Sequence, residues 1–381
     1  MSAYLQLGHE SWSLLDEPDL GTYGGFVLSP VNDDPDYVSE RLSRLKERRG
    51  DFEAILDPQL YNPRSEKQKL NSWPYFPSDF ATAVREDIAW WGGVARSIVD
   101  EAERLGIDSV CSPAFTPKLY TADYYRHIVS ICDAALPHAK DRSIDVLLTC
   151  IVNLRDLVQP SKASEIASIV SSSGAQRVYL MFLDDTPQRQ PLDESEALPT
   201  AVHLVRLLSS QMRVHVAFSG QDVVLWKAAG ATDVSSGKWM NVRRFSPARW
   251  EEEESGGRQV PYWSEHGLVA LLREQDVKRL DREGWFKDLT FVGNPASKRI
   301  LEIIRSGTGT PWQKLSWLQF LRWVSNRDQL ITNREHAEKY LERCDDRWGY
   351  VQELKILFAD RFNDGAWVRT WLNAIREGNA R

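Results

Sequence analysis

Ile144-Asp-Val-Leu-Leu-Thr-Cys-Ile-Val152, closed by Asn153, is the clearest strand in the sequence. From Val146 on it is apolar at odd and even positions alike, as in a parallel strand covered on both faces by helices. A helix with serine capping chemistry starts at Ser161-Lys-Ala-Ser-Glu165 and runs to Ser172, where Gly174 punctuates the chain. Arg177-Val-Tyr-Leu-Met-Phe-Leu183 repeats the apolar run and ends at Asp184-Asp185. Strand, helix and strand in this order make a parallel pair joined by a crossover helix.

The unit extends in both directions. Upstream, strands are predicted at Gly24–Val31, Phe52–Asp57 and Asp108–Phe115, with helices at Tyr37–Arg49, Phe80–Leu105 and Tyr124–Leu136. Downstream, helix Ala197–Ser210 leads to strands Arg213–Phe218 and Thr232–Ser235, seven strands in all. For the eighth, Val260–Trp263 is preferred because its helix, Leu268–Leu280, is the longer; Leu289–Asn294 is the alternative. The acidic run Glu251–Gly257 before them reads as an exposed loop. The expected architecture is α/β: a (β/α)8 TIM-like barrel over 24–305, after a lead-in at 1–23. A Trp-rich C-terminal helical appendage of four short helices follows at 306–381.

Bulk properties agree with a barrel plus appendage. The chain has 381 residues, 42% hydrophobic and 27% charged, and a formal net charge of −7, which disfavours broad non-specific coating of nucleic acid. Its four cysteines are far apart with no CxxC pair, so they read as reduced, buried thiols rather than a zinc site. No signal peptide is recognisable at Met1–Leu15, and no apolar run of about 18 residues could span a membrane. These features predict a cytoplasmic protein. Fifteen tryptophans are present, and those from Trp312 to Trp371 predict a packed helical unit or a surface for a protein partner.

In a barrel of this kind the reactive groups stand at the C-terminal ends of the strands. Asp57 ends an apolar strand and is the first candidate for base or nucleophile, with Gln59 and Tyr61 on the same rim; the plainer reading is an Asp-Pro turn. The long loop from Pro58 to about Ser78 is of the length that often carries function. Asp184 is a second catalytic candidate, although Asp184-Asp185 also reads as a turn. Asn153 and Gln221 are placed to orient a substrate. Ala229-Gly-Ala-Thr-Asp-Val-Ser-Ser-Gly-Lys238, running on through Trp239-Met-Asn-Val-Arg-Arg-Phe245, offers the best anion-binding signal. Backbone amides at Ser235, Ser236 and Gly237 could meet a phosphate that Lys238, Arg243 and Arg244 neutralise. His215, alternating within a strand, reads as packed. No spacing indicates a metal site, and no cofactor is assigned.

In layout, from about Gly24 to Leu280, the chain resembles phosphate-binding β/α barrels, including flavin-binding barrels and tRNA-guanine transglycosylases. The clustered zinc cysteines of the transglycosylases are absent. The expected function is a transferase or hydrolase acting on a phosphate-bearing, nucleotide- or nucleobase-like substrate through carboxylate chemistry. Two alternatives remain open. One is a non-catalytic subunit that docks a partner through the C-terminal helices; the other is nucleic-acid recognition by the Arg243/Arg244 rim.

Overall fold

Eight parallel strands close into a barrel in the computed structural model, which describes residues 2–250, 260–287 and 294–380. They are β1 Ser2–Gln6, β2 Gly25–Leu28, β3 Glu53–Leu56, β4 Ser109–Cys111, β5 Asp145–Asn153, β6 Arg177–Leu183, β7 Arg213–Val216 and β8 Asp233–Ser236. Each pairs with the next, and β8 closes on β1 with Ser2 opposite Asp233 and Leu5 opposite Ser236. Gly25 is required where β2 meets β3, since a Cβ there would lie 2.1 Å from the Glu53 carbonyl oxygen.

Two expectations are corrected. Residues 1–23, read as a lead-in, supply the first strand, so the eighth strand is Asp233–Ser236. Trp263, from the preferred candidate Val260–Trp263, begins instead a small antiparallel hairpin, β9 Trp263–Glu265 with β10 Ala270–Leu272. Nearly all of the other candidate, Leu289–Asn294, and the acidic run Glu251–Gly257 lie outside the described residues. The cause of the miscount is local. In Ser-Ala-Tyr-Leu-Gln, two of five side chains are a serine and a glutamine, so no apolar run announces a strand. Closure on β8, more than two hundred residues away, makes it one.

The C-terminal helices belong to the outer layer. Helix Gln313–Leu330 lies against β1, β8 and helix Val223–Ala228, and helix Ala366–Ala380 packs on helix Leu198–Ser209. Lys227 and Asp328 meet there as a buried ion pair, Nζ to Oδ1 2.8 Å. Two of the four expected short helices, about Arg334–Cys344 and Gly349–Asp360, are one continuous helix, Arg334–Glu353, with nothing within 4 Å of the position a Cβ would take at Gly349. Trp312, Trp323, Trp348, Trp367 and Trp371 are buried; Trp348 donates to the Leu268 carbonyl and Trp371 to that of Leu192. These rings are core.

The barrel interior is unusually polar for a fold whose centre is commonly filled by branched aliphatics. At its N-terminal end Glu53 accepts from Arg177 (2.5 Å), Ser109 (2.5 Å) and Tyr4. Burial alone would raise the Glu53 carboxyl, but the Arg177 contact holds it at about 2. Above this, His215 lies between the rings of Tyr4 and Tyr179, centroids 4.9 and 5.3 Å away. Burial, assisted by the Arg177 charge, pushes its imidazole down to about 3, so it is neutral. The four cysteines are buried free thiols, and no helix among the described residues is long and apolar enough to cross a membrane.

Candidate functional site at the mouth of the barrel

β3 ends by delivering Asp57 to the centre of the mouth. Gln59, in the left-handed region at φ 56°, turns its amide back onto Asp57 Oδ1 at 3.0 Å, and the Tyr61 hydroxyl donates to the same oxygen at 2.8 Å. The Tyr179 hydroxyl, with one proton to give, lies 3.1 Å from Gln6 Oε1 and 3.5 Å from Asp57 Oδ2. Ser235 also donates to Gln6 Oε1, at 3.0 Å. Burial raises the Asp57 carboxyl to about 6, against the lowering effects of Tyr61, the Gln59 amide and the Arg249 charge. A carboxyl that titrates there can both take and give a proton near neutral pH. Asp57, Gln59, Tyr61 and Ser235, all named from sequence, are therefore brought together. Gln6 and Tyr179 were missed because Gln6 lies in the unrecognised strand and Tyr179 inside an apolar run.

In this network two buried polar atoms have no partner: Gln6 Nε2 and Gln59 Nε2. Buried polar groups are normally paired, so each such atom calls for a local reason such as a water or ligand.

The expected phosphate cradle is not assembled as a cradle. Lys238 Nζ donates to the Glu10 carbonyl at 2.7 Å and sits between the Trp239 and Trp317 rings. Arg243 donates to the carbonyls of Gly237 (2.8 Å) and Lys238 (3.0 Å), with its guanidinium 3.4 Å from the Phe320 centroid. Arg244 holds the carbonyls of Thr186 (3.1 Å) and Gln190 (2.9 Å) and lies 3.6 Å from Asp184. All three cations are buried. Gly237 faces Val242 and the Gln6 carbonyl so closely that a Cβ would lie 2.3 and 2.5 Å from them. These cations are struts for loop carbonyls, and the basic rim expected for nucleic acid is not at the surface. Asp184 is a partner of Arg244 and of the Thr186 amide (3.1 Å), while Asn153 caps the following turn through the Arg155 amide at 3.2 Å. Gln221 is buried beside Asp222 on the β7 side. No group of three or more His, Cys, Asp or Glu among the described residues is placed to hold a metal ion.

A cleft that the sequence left unassigned opens over β3 and β4, with a volume of about 440 Å³. The long loop after β3 contributes Arg64, the turn Thr82–Glu86 contributes Arg85, and the segment after β4 contributes Thr116 and Lys118. The Thr116 amide donates to the Tyr61 carbonyl at 2.9 Å, pinning the two loops together. Arg64 donates to Thr82, and the Arg85 guanidinium lies 4.3 Å from the Phe115 centroid. Among the described residues none of Arg64, Arg85 and Lys118 forms an ion pair. Phe80, Phe115 and Trp250 give the cleft aromatic walls. Tyr61 is its floor, reaching down to Asp57. The signal available in sequence was the length of the loop after β3, in which Arg64 stands beside Tyr61. Arg85 was hidden in a helix expected from Phe80, whereas the α-helix begins at Ile88.

The segment Pro247–Trp250 crosses the mouth above Asp57. The Trp250 ring packs on Tyr61 (4.7 Å) and Phe245 (5.5 Å), and Ser65 donates to its carbonyl at 2.6 Å. Arg249 donates to Ser29 Oγ at 3.0 Å and to the Asn241 carbonyl at 3.2 Å.

No protein-family model matches the chain, and no curated protein matches it. Among solved structures it is similar to a D-tagatose 3-epimerase-like protein, at 15% identity and a TM-score of 0.34, over 62% of this chain and 90% of that one. It is similar also to a type I 3-dehydroquinate dehydratase from Clostridium difficile, at 9% identity and 0.37, over 65% and 88%. A glycosyl hydrolase of the GH3 family from Mycobacterium smegmatis aligns at 13% and 0.40, over 61% and 82%. Likenesses this distant say nothing of the chemistry. What the chain's own strand pairing establishes is a closed, parallel, eight-stranded barrel of the TIM type, the architecture of a large class of enzymes.

Proposed function

We propose that the protein is a barrel enzyme acting on a small phosphate-bearing substrate with a ring attached, a nucleotide-like molecule being the best fit. The anion lies against Arg64, Arg85 and Lys118, and the ring stacks among Phe80, Phe115 and Trp250. Asp57 supplies acid–base chemistry through Tyr61, whose hydroxyl gives its proton toward Asp57 while its oxygen accepts one from the substrate. The observation that carries this reading is the convergence of three cations without acidic partners on a cleft one tyrosine away from a carboxyl raised to about 6.

The test is calorimetric titration with inorganic phosphate, ribose 5-phosphate and adenosine monophosphate. Binding is expected for the phosphate esters, weakened about tenfold or more in Arg64→Ala/Lys118→Ala, because charge-assisted hydrogen bonds are lost. Binding that the double variant retains in full, or no binding of any of the three, refutes the proposal.

A further inference from the structure

The segment Pro247–Trp250 divides the mouth in two: Pro247 and Trp250 line the cleft described above, and Ala248 and Arg249 line another, of about 700 Å³, on the β1–β2 side. We propose that this second cleft is a binding site for an uncharged, hydroxyl-rich ring such as a cyclic polyol or a simple sugar.

Its lining differs in kind from that of the first cleft. Asn32, Gln68, Gln188 and Asn241 present four primary amides, each able to give and to accept hydrogen bonds, which is the pattern that matches a hydroxyl. Those of Gln68, Gln188 and Asn241 make no side-chain hydrogen bond among the described residues. Asn32 gives its Nδ2 to Ser29 Oγ at 2.6 Å and keeps its carbonyl oxygen. The Trp239 indole, fixed by its bond to the His9 carbonyl at 2.8 Å, adds an apolar ring to the wall, where the carbon-bound hydrogens of a polyol ring can lie. Positive charge is already committed here: Arg249 is held by Ser29 and the Asn241 carbonyl, and Lys67 has a partner of its own. Gln68 holds a left-handed backbone at φ 53°, uncommon for a residue of its type, and this conformation places it on the cleft.

The cleft also connects to the buried carboxyl. Asn32 donates to Ser29, Ser29 donates to Gln59 Oε1 at 3.2 Å, and the backbone N–H of the same Gln59 donates to Asp57 Oδ1. A ligand held by Asn32 is thus linked to Asp57 through Ser29 and Gln59. Two clefts of different character thus reach the buried Asp57, one through Tyr61 and the other through Gln59 and Ser29, each within the roughly 300–1,000 Å³ typical of small-molecule sites.

The proposal does not depend on the anion reading of the first cleft, and one experiment separates the two. Saturation-transfer NMR is run on the full chain with myo-inositol and methyl β-D-glucopyranoside as probes. Transfer to at least one probe is expected in the wild type and in Arg64→Ala/Lys118→Ala. In Gln68→Ala/Asn241→Ala, both on exposed positions, affinity should fall about tenfold as two or three hydrogen bonds are lost. Absence of transfer to both probes in the wild type, or transfer that the Gln68/Asn241 variant retains, overturns the proposal. Transfer lost in Arg64→Ala/Lys118→Ala but kept in the amide variant would place the polyol in the first cleft and overturns it equally.

Discussion

Replacing Asp57 by asparagine should make the protein more stable, and the pH dependence of that gain is the sharpest test of the site. Burial raises the Asp57 carboxyl from its ordinary 3.8 to about 6. At about 1.4 kcal/mol per pH unit, the buried carboxylate is about 3 kcal/mol worse off than the same group in the unfolded chain. The folded state holds the proton more tightly, so the wild type loses stability as pH rises from about 4 through 6, and the loss is complete above that. The substituted amide carries no charge at any pH and can still accept from Tyr61 and the Gln59 amide. For 381 residues at about 2.1 cal/mol/K each, the unfolding entropy is about 0.8 kcal/mol/K, so 3 kcal/mol corresponds to about 4 °C in Tm. Scanning calorimetry of both proteins from pH 4 to 8 should give coincident Tm values at pH 4 and a variant about 4 °C higher at pH 8. A variant less stable than wild type at pH 8, or a difference that does not change with pH, would mean that Asp57 is a structural carboxylate and not a destabilised acid–base group.

Two further outcomes follow from the same packing. Asp328→Ala leaves the Lys227 ammonium buried and unpaired between barrel and C-terminal helices, so stability should fall by about 3–5 kcal/mol, or 4–6 °C in Tm, while Lys227→Met/Asp328→Leu should recover most of it; calorimetry of the two variants decides. Arg244→Ala removes the donor to the Thr186 and Gln190 carbonyls and the partner of Asp184, so the urea midpoint should drop by the equivalent of about 3 kcal/mol while affinity for phosphate esters at the first cleft stays unchanged; a fall in that affinity without a loss of stability would return Arg244 to the ligand.

The distance between sequence and site is instructive at particular residues. Asp57, Gln59 and Tyr61 were legible because an apolar strand ending in Asp-Pro fixes where the next side chains stand, whatever the rest of the molecule does. Lys238, Arg243 and Arg244 were misread because a cation after a glycine turn looks the same in sequence whether an external phosphate or a neighbouring carbonyl satisfies it. The partners of Lys238 and Arg244, at Glu10, Thr186 and Gln190, come from other loops, and Arg243 folds back on the carbonyls of Gly237 and Lys238. Arg64, Arg85 and Lys118 come from three separate segments, and only the folded loops bring them to one cleft.

The sequence by itself determined the repeated strand–helix unit, and with it the parallel barrel, because hydrophobic runs, capping residues and turn glycines act within a few residues of where they stand. It determined also that the tryptophans of the last helices had to be buried or covered. Tertiary structure alone decided that Ser2–Gln6 is the first strand, that the barrel ends at Ser236, and that Trp312, Trp323, Trp348, Trp367 and Trp371 are core. It decided likewise which cations are structural and which face a cleft. Strand pairing across the closure, and the pairing of a buried charge, are settled between residues far apart in the chain, where no local pattern records the partner.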